Sequence, residues 1–215
     1  MIEIQSKISS WAVTVTSAII FFGVVLLAPL VSDAPGLLQF GSIIVTALMS
    51  FGLYKLLSNL IVSLFSKFQW IRKLLLGNAF LEGTWVGHWV HDGKNVFTIE
   101  TIKQESGETS INGRQIGEDG KTQADWSSES TFVDLRKERL IYVYSCDVYR
   151  TNHQQNGIGV FKMIKENENI PPNVLDGYAV DMIDGDKDPN REYKIDDGIM
   201  STEEALEKAK VIFNV

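Results

Sequence analysis

The chain is poor in the residues that usually make chemistry easy to recognise. Cys146 is the one cysteine among 215 residues, so no disulfide can close within the chain and nothing points to an oxidising compartment. Histidine is scarce too: His88 and His91 stand three apart, which in a strand sends them to opposite faces, and His153 is remote from both. Exposed polar positions are the expected role of all three. No Gly-rich phosphate loop, Gly-x-Ser-x-Gly elbow or His-Glu-x-x-His helix occurs. The alternating acids of Asp184-Gly185-Asp186-Lys187-Asp188 begin like a calcium loop, but Pro189 stands where the sharp-turn glycine belongs. No catalytic residue, metal site or cofactor is expected, and the chain does not read as an enzyme.

Positive charge is also short over most of the chain. Residues 1–79 carry five basic and two acidic side chains, whereas the remainder carries 15 basic and 25 acidic. An acidic domain excludes a protein that coats polymeric nucleic acid, because that affinity is built from many phosphate neutralisations on a basic face. A small phosphorylated ligand would need only one or two arginines.

What the N-terminal part does have is long uncharged runs. Ile8 to Val31 contains no charge across 24 residues, enough at about 1.5 Å per residue to cross a hydrocarbon core of roughly 30 Å. The run exceeds the apolar core of a cleavable leader and is expected to be retained. Ser32-Asp33-Ala34-Pro35-Gly36 reads as a turn, and a second uncharged run covers Leu37 to Tyr54. These features predict a hairpin of two transmembrane helices, at about 8–31 and 37–58, followed by a basic juxtamembrane helix and making up a domain over 1–76.

Lys7 precedes the first run and Lys55, Lys67, Arg72 and Lys73 follow the second, so the positive-inside rule puts both termini of this multi-pass membrane protein in the cytoplasm. Trp11, and Trp70 in the segment Lys67 to Leu76, fit interfacial anchors in the lipid bilayer. Ser42, Thr46 and Ser50 recur every four residues, a small-polar stripe that suits packing within the hairpin or self-association between protomers.

From Phe80 onward the pattern changes to short β-branched and aromatic runs punctuated by Asp92-Gly93, Ser106-Gly107, Asp119-Gly120 and Asn156-Gly157. Strands are expected at Glu82–Val90, Asn95–Gln104, Thr109–Gly117, Ser127–Arg136, Arg139–Tyr149, Gly157–Lys165 and Leu175–Ile183, with a short eighth near Glu192–Ile195. About eight antiparallel strands close most simply into a small barrel, which leaves no exposed edge and has room for one small ligand. Thr202 to Phe213, with Glu203 and Glu204 in its first turn, is expected as a terminal helix on a cytoplasmic β-barrel domain over 77–215.

Gly83-Thr84-Trp85 at the entry to the first strand resembles the opening of lipocalin-type barrels, which implies that Trp85 plugs one barrel end. The candidates for ligand recognition are Arg114, Trp126, Arg136, Tyr142, Tyr144, Arg150, Tyr178 and Arg191, since rings stack on bases and guanidinium forks hold phosphates. Tyr142 and Tyr144 lie two apart and share a strand face.

The order of parts, two spans at Ile8–Val31 and Leu37–Tyr54, a minimal loop and a barrel opening at Gly83-Thr84-Trp85, resembles the two-transmembrane, β-strand-rich effectors of bacterial anti-phage CBASS systems. That resemblance implies that the barrel binds a cyclic dinucleotide made by a functionally coupled cyclic-nucleotide synthase. It further implies that protomers then form a homo-oligomer, and that the inner membrane is disrupted in abortive infection. Two other readings remain open: a membrane-tethered barrel binding a lipid or other apolar ligand, and a membrane-bound hydrolase.

Overall fold

The structure, a computed structural model, describes residues 2–31, 52, 54–105, 108–149, 153–168, 170–183 and 185–215. The chain divides into two compact units, one of them Gln5–Leu75 and the other Leu76–Val215 together with the first residues of the chain. The first unit is helical: α1 spans Ile2–Val31, helical backbone α2 covers 54–67, and α3 spans Gln69–Leu76. Arg72 folds back within this unit, its guanidinium donating to the carbonyls of Phe65 and Ser66 at 3.0 and 2.9 Å.

The expected transmembrane hairpin is corrected here. Among the described residues no helix is long and apolar enough to cross a membrane. Two physical features account for this. In helix α1 the polar residues Ser6, Lys7, Ser9, Ser10, Thr14, Thr16 and Ser17 break up the first half, which leaves 18–31, about 21 Å long, as its stretch without polar side chains, and helical residues 54–67 also rise only about 21 Å while carrying Lys55, Ser58, Asn59, Ser63 and Ser66. The membrane-anchored fold class falls with that finding, and so does the multi-pass inner-membrane placement with both termini in the cytoplasm. Most of the expected second span, including Ser42, Thr46 and Ser50, lies outside the described residues.

The second unit is an antiparallel barrel. After a 3-10 turn at Gly77–Ala79 come β1 (Gly83–His91), β2 (Lys94–Glu105), β3 (Glu108–Gly117), β4 (Thr122–Asp134), β5 (Arg139–Val148), β6 (His153–Ile164), β7 (Val174–Asp181), β8 (Lys187–Asp196) and helix α4 (Thr202–Phe213). Each strand pairs with the next, and β8 returns to β1, so the sheet closes without a free edge. Asp92 and Gly93, at φ 50° and 71°, make the two-residue β1–β2 turn by the left-handed conformation that this dipeptide tolerates. Pro189 sits in β8 beyond the last β1 pair, where the strand has a hydrogen-bonded neighbour only on the β7 side.

Helix α4 begins with a capping box: the Ser201 hydroxyl accepts from the Glu204 amide at 3.2 Å while the Glu204 carboxylate accepts from the Ser201 amide. Ala205, Leu206 and Ala209 pack against Val86, Phe97, Ile99 and Ile116 on the outside of the barrel. Strands β1 and β2 are therefore covered on both faces. His88, expected in solvent, is half-buried in this seam, its ring 5.2 Å from those of Phe97 and Phe213 and its Nε2 3.0 Å from Asn95.

Candidate functional site

Partners across an antiparallel ladder point to the same side, so the register identifies the lumen. Trp85 pairs with Glu100, Glu100 with Gly113, Gly113 with Trp126 and Trp126 with Cys146. Tyr142 and Tyr144, on the same face of β5 as Cys146, pair with Gly159 and Gly157, and Leu175 pairs with Glu192 on the lumen side of β8.

One end of this lumen is filled by hydrocarbon. Phe80, Leu81, Trp85, Ile102, Ile111, Leu140, Phe161, Met163 and Leu175 are all buried there. The Trp85 indole N–H donates to the Leu81 carbonyl at 2.9 Å, so the plug leaves no polar group unmet. Gln104 accepts from the Leu81 and Glu82 amides and donates to the Ala79 carbonyl, stitching the incoming chain to this end. Lys194 crosses the rings of Phe80 and Trp85 at 4.4 and 5.8 Å and pairs with Asp197 at 2.8 Å.

Midway along, the lining becomes polar. Glu100 is 1 % exposed and Glu192 fully buried. The Trp126 indole N–H and the Tyr142 hydroxyl donate to Oε1 of Glu100 at 2.9 and 2.8 Å, and the Asn190 amide donates to Oε1 of Glu192 at 2.8 Å. Burial raises both carboxyl groups above the ordinary range, Glu192 much further because the Glu100 charge faces it. The Thr98 hydroxyl and Oε2 of each carboxyl group are buried beside them without a hydrogen-bond partner among the described residues. Glu100 is the acceptor of two neutral donors, both on Oε1.

Toward the other end the rings are wedged over glycines. A Cβ at Gly113 would run into the Trp126 indole, one at Gly157 into the Tyr144 ring and one at Gly159 into the Tyr142 ring. The rings of Tyr142 and Tyr144 lie 5.9 Å apart, and Tyr142 stacks on Phe161 at 6.0 Å. Tyr142 is buried, but Trp126 and Tyr144 are half-exposed, so this half of the lumen is open to solvent. Burial, with Cys146, Asp181, Asp188 and Glu100 nearby, pushes the Tyr144 hydroxyl up to about 12. Cys146 itself is pushed up to about 11 by burial and by Asp125, Asp147 and Asp181, which keeps it a thiol rather than a nucleophile at neutral pH.

The residues expected to recognise a ligand thus divide. Trp126, Tyr142 and Tyr144 come together in the lumen, but the arginines do not join them. Arg114 lies outside the barrel and donates to Thr202 at 3.2 Å. Arg136 stands exposed in the β4–β5 turn at the closed end. On the outer wall, Arg191 lies over the Tyr193 ring at 5.6 Å and Tyr178 lies beneath Lys187 at 4.7 Å. Arg150 falls outside the described residues.

Glu100, Glu192, Thr98 and Asn190 escape the sequence reading because each occupies a polar position beside an apolar one, as an outward-facing residue would. Among the described residues no group of three or more His, Cys, Asp or Glu side chains is placed to hold a metal ion. The outer wall carries a shallow depression of about 470 Å³ lined by Glu129, Val143, Ser145, Gln154, Asn156 and Met182. It offers no stacked rings, and its one acid, Glu129, is already engaged by the Ser145 hydroxyl at 3.1 Å.

No family model, no curated protein and no solved structure matches this chain.

Proposed function

We propose that the barrel is the receptor of a ligand-controlled protein, and that it binds a cyclic dinucleotide through the open half of its lumen. The observation that carries this reading is the group of ring side chains, Trp126, Tyr142 and Tyr144, set over glycines beside a buried carboxyl pair. Aromatic faces held apart from one another by glycine-backed walls are a surface on which a base stacks, at about 1–3 kcal/mol per base.

The group is suited to binding and not to turnover. Cys146 is held as a thiol, and the donors on the buried Glu100 carboxyl are an indole and a phenol instead of a nucleophile. An apolar ligand fits less well, because the middle of the lumen is occupied by two carboxyl groups and an amide that hydrocarbon would leave without solvation.

The remainder of the proposal follows from the resemblance to CBASS effectors: a synthase supplies the messenger, and binding drives self-association. To do so the ligand must bind the assembled form better than the resting one. Titrating the full chain with a panel of cyclic dinucleotides and fatty acids, while following melting temperature and sedimentation, tests this. Stabilisation together with assembly by a cyclic dinucleotide is expected; stabilisation by fatty acids alone would replace the proposal with the lipid reading.

A further inference from the structure

The charges that line the lumen specify which part of such a ligand can enter, an argument that rests on the receptor reading above. Glu100, Asp181, Asp188 and Glu192 share the lumen face of their strands. Two lysines of the described residues share that face at its two extremes: Lys194 stands at the closed end, engaged by Asp197 and two rings, and Lys94 stands exposed at the outer rim beside the β1–β2 turn, so neither reaches the acids in the middle. A phosphate drawn inside would meet like charge in a poorly solvated space. A group that donates hydrogen bonds would meet acceptors.

Glu100 is the acceptor best placed to do this. Of the two donors to its Oε1, Tyr142 is buried, whereas Trp126 is half-exposed and so stands between the carboxylate and solvent, and Oε2 is buried without a donor among the described residues. An indole N–H is an in-plane ring donor, and the N1–H of guanine has the same chemistry with a second donor, the 2-amino group, beside it. Two parallel donors match the two oxygens of a carboxylate. Adenine places a ring acceptor next to its amino group and would set a lone pair against the charge. Hypoxanthine keeps the ring donor but lacks the second.

We infer that the group entering the lumen is a guanine base, taken by the Glu100 carboxylate in place of the Trp126 N–H and stacked on Tyr144, with the ligand's phosphates left outside. Discrimination of this kind by a bidentate pair is worth about 10- to 100-fold in affinity.

Calorimetric titration of the full chain with cyclic dinucleotides bearing guanine, hypoxanthine or adenine tests the inference. Guanine is expected to bind tightest, hypoxanthine in between and adenine weakest, and Glu100→Gln is expected to bring the three within about threefold of one another. Equal affinities in the wild-type chain overturn the inference while leaving the receptor reading intact, and that ladder decides the matter even if Glu100→Gln fails to fold. A ladder that survives Glu100→Gln in folded protein overturns it as well. Failure of all three ligands to bind removes the receptor reading and the inference with it.

Discussion

The two ends of the barrel lumen are built from the same eight strands, yet they solve different problems. At the closed end Phe80, Trp85, Ile102, Leu140 and Phe161 exclude water completely, and the polar atoms among them are met by neighbouring backbone. At the open end glycines hold rings flat against the wall, and two neighbouring carboxyl groups are buried, both raised above the ordinary range by that burial. Stability is concentrated in the first and spent in the second, since burying a charge with only neutral donors costs free energy that hydrocarbon elsewhere must offset. A scaffold with one solid end can tolerate a partly open other end, which is where binding groups belong.

The largest expected effect breaks the closed end. Trp85→Ala should lower the free energy of unfolding by about 3–5 kcal/mol, read by urea denaturation, because it removes a buried ring and leaves Lys194 without one of its faces. A loss below about 1 kcal/mol would show that this end is not what holds the barrel together.

Gly159→Val should cost about 1–3 kcal/mol by driving the Tyr142 ring off the wall, and it should weaken the Tyr142 bond to Glu100 at the same time. Near-ultraviolet circular dichroism would report the displaced ring; an unchanged spectrum with unchanged stability would contradict the wedge.

A third test separates the ends by pH. Glu192 titrates higher in the folded chain than in the unfolded one, so its contribution to stability is fully present below the unfolded value of about 4.3 and is lost as pH rises through the folded value. Urea midpoints of the wild type should therefore fall across that interval, and Glu192→Gln, which cannot titrate, should flatten the fall. The same slope in both proteins would mean that the pair does not hold the proton. The smallest effect is at the helix outside the lumen: Ser201→Ala should cost about 1 kcal/mol through the lost cap on α4, without any change in ligand affinity.

Much of the barrel could be read from the chain, because turn dipeptides and alternating runs are local signals. The terminal helix was legible for the same reason, its Ser201 and Glu204 standing at capping-box spacing. Asn156-Gly157, however, read as a turn and lies inside β6. Glycine serves there to admit the Tyr144 ring, a long-range reason that a local rule does not contain.

The carboxyl pair was hidden by alternation itself. In Phe97-Thr98-Ile99-Glu100 the apolar residues should face the core and the polar ones water. In the structure α4 covers Phe97 and Ile99 on the outside, which turns Thr98 and Glu100 into the lumen. The N-terminal helices were misread for the opposite reason. A lack of charge is not sufficient for a membrane span, and no described helix is long and apolar enough for one.

The most direct test compares melting of the full chain with and without a guanine-bearing cyclic dinucleotide, in the wild type and in Tyr144→Ala. The account predicts that ligand at about a hundred times its dissociation constant stabilises the wild type by roughly 2.7 kcal/mol and leaves Tyr144→Ala unmoved. An equal rise in both proteins would place the binding site elsewhere than the open half of the lumen, and no rise in either would contradict the receptor itself.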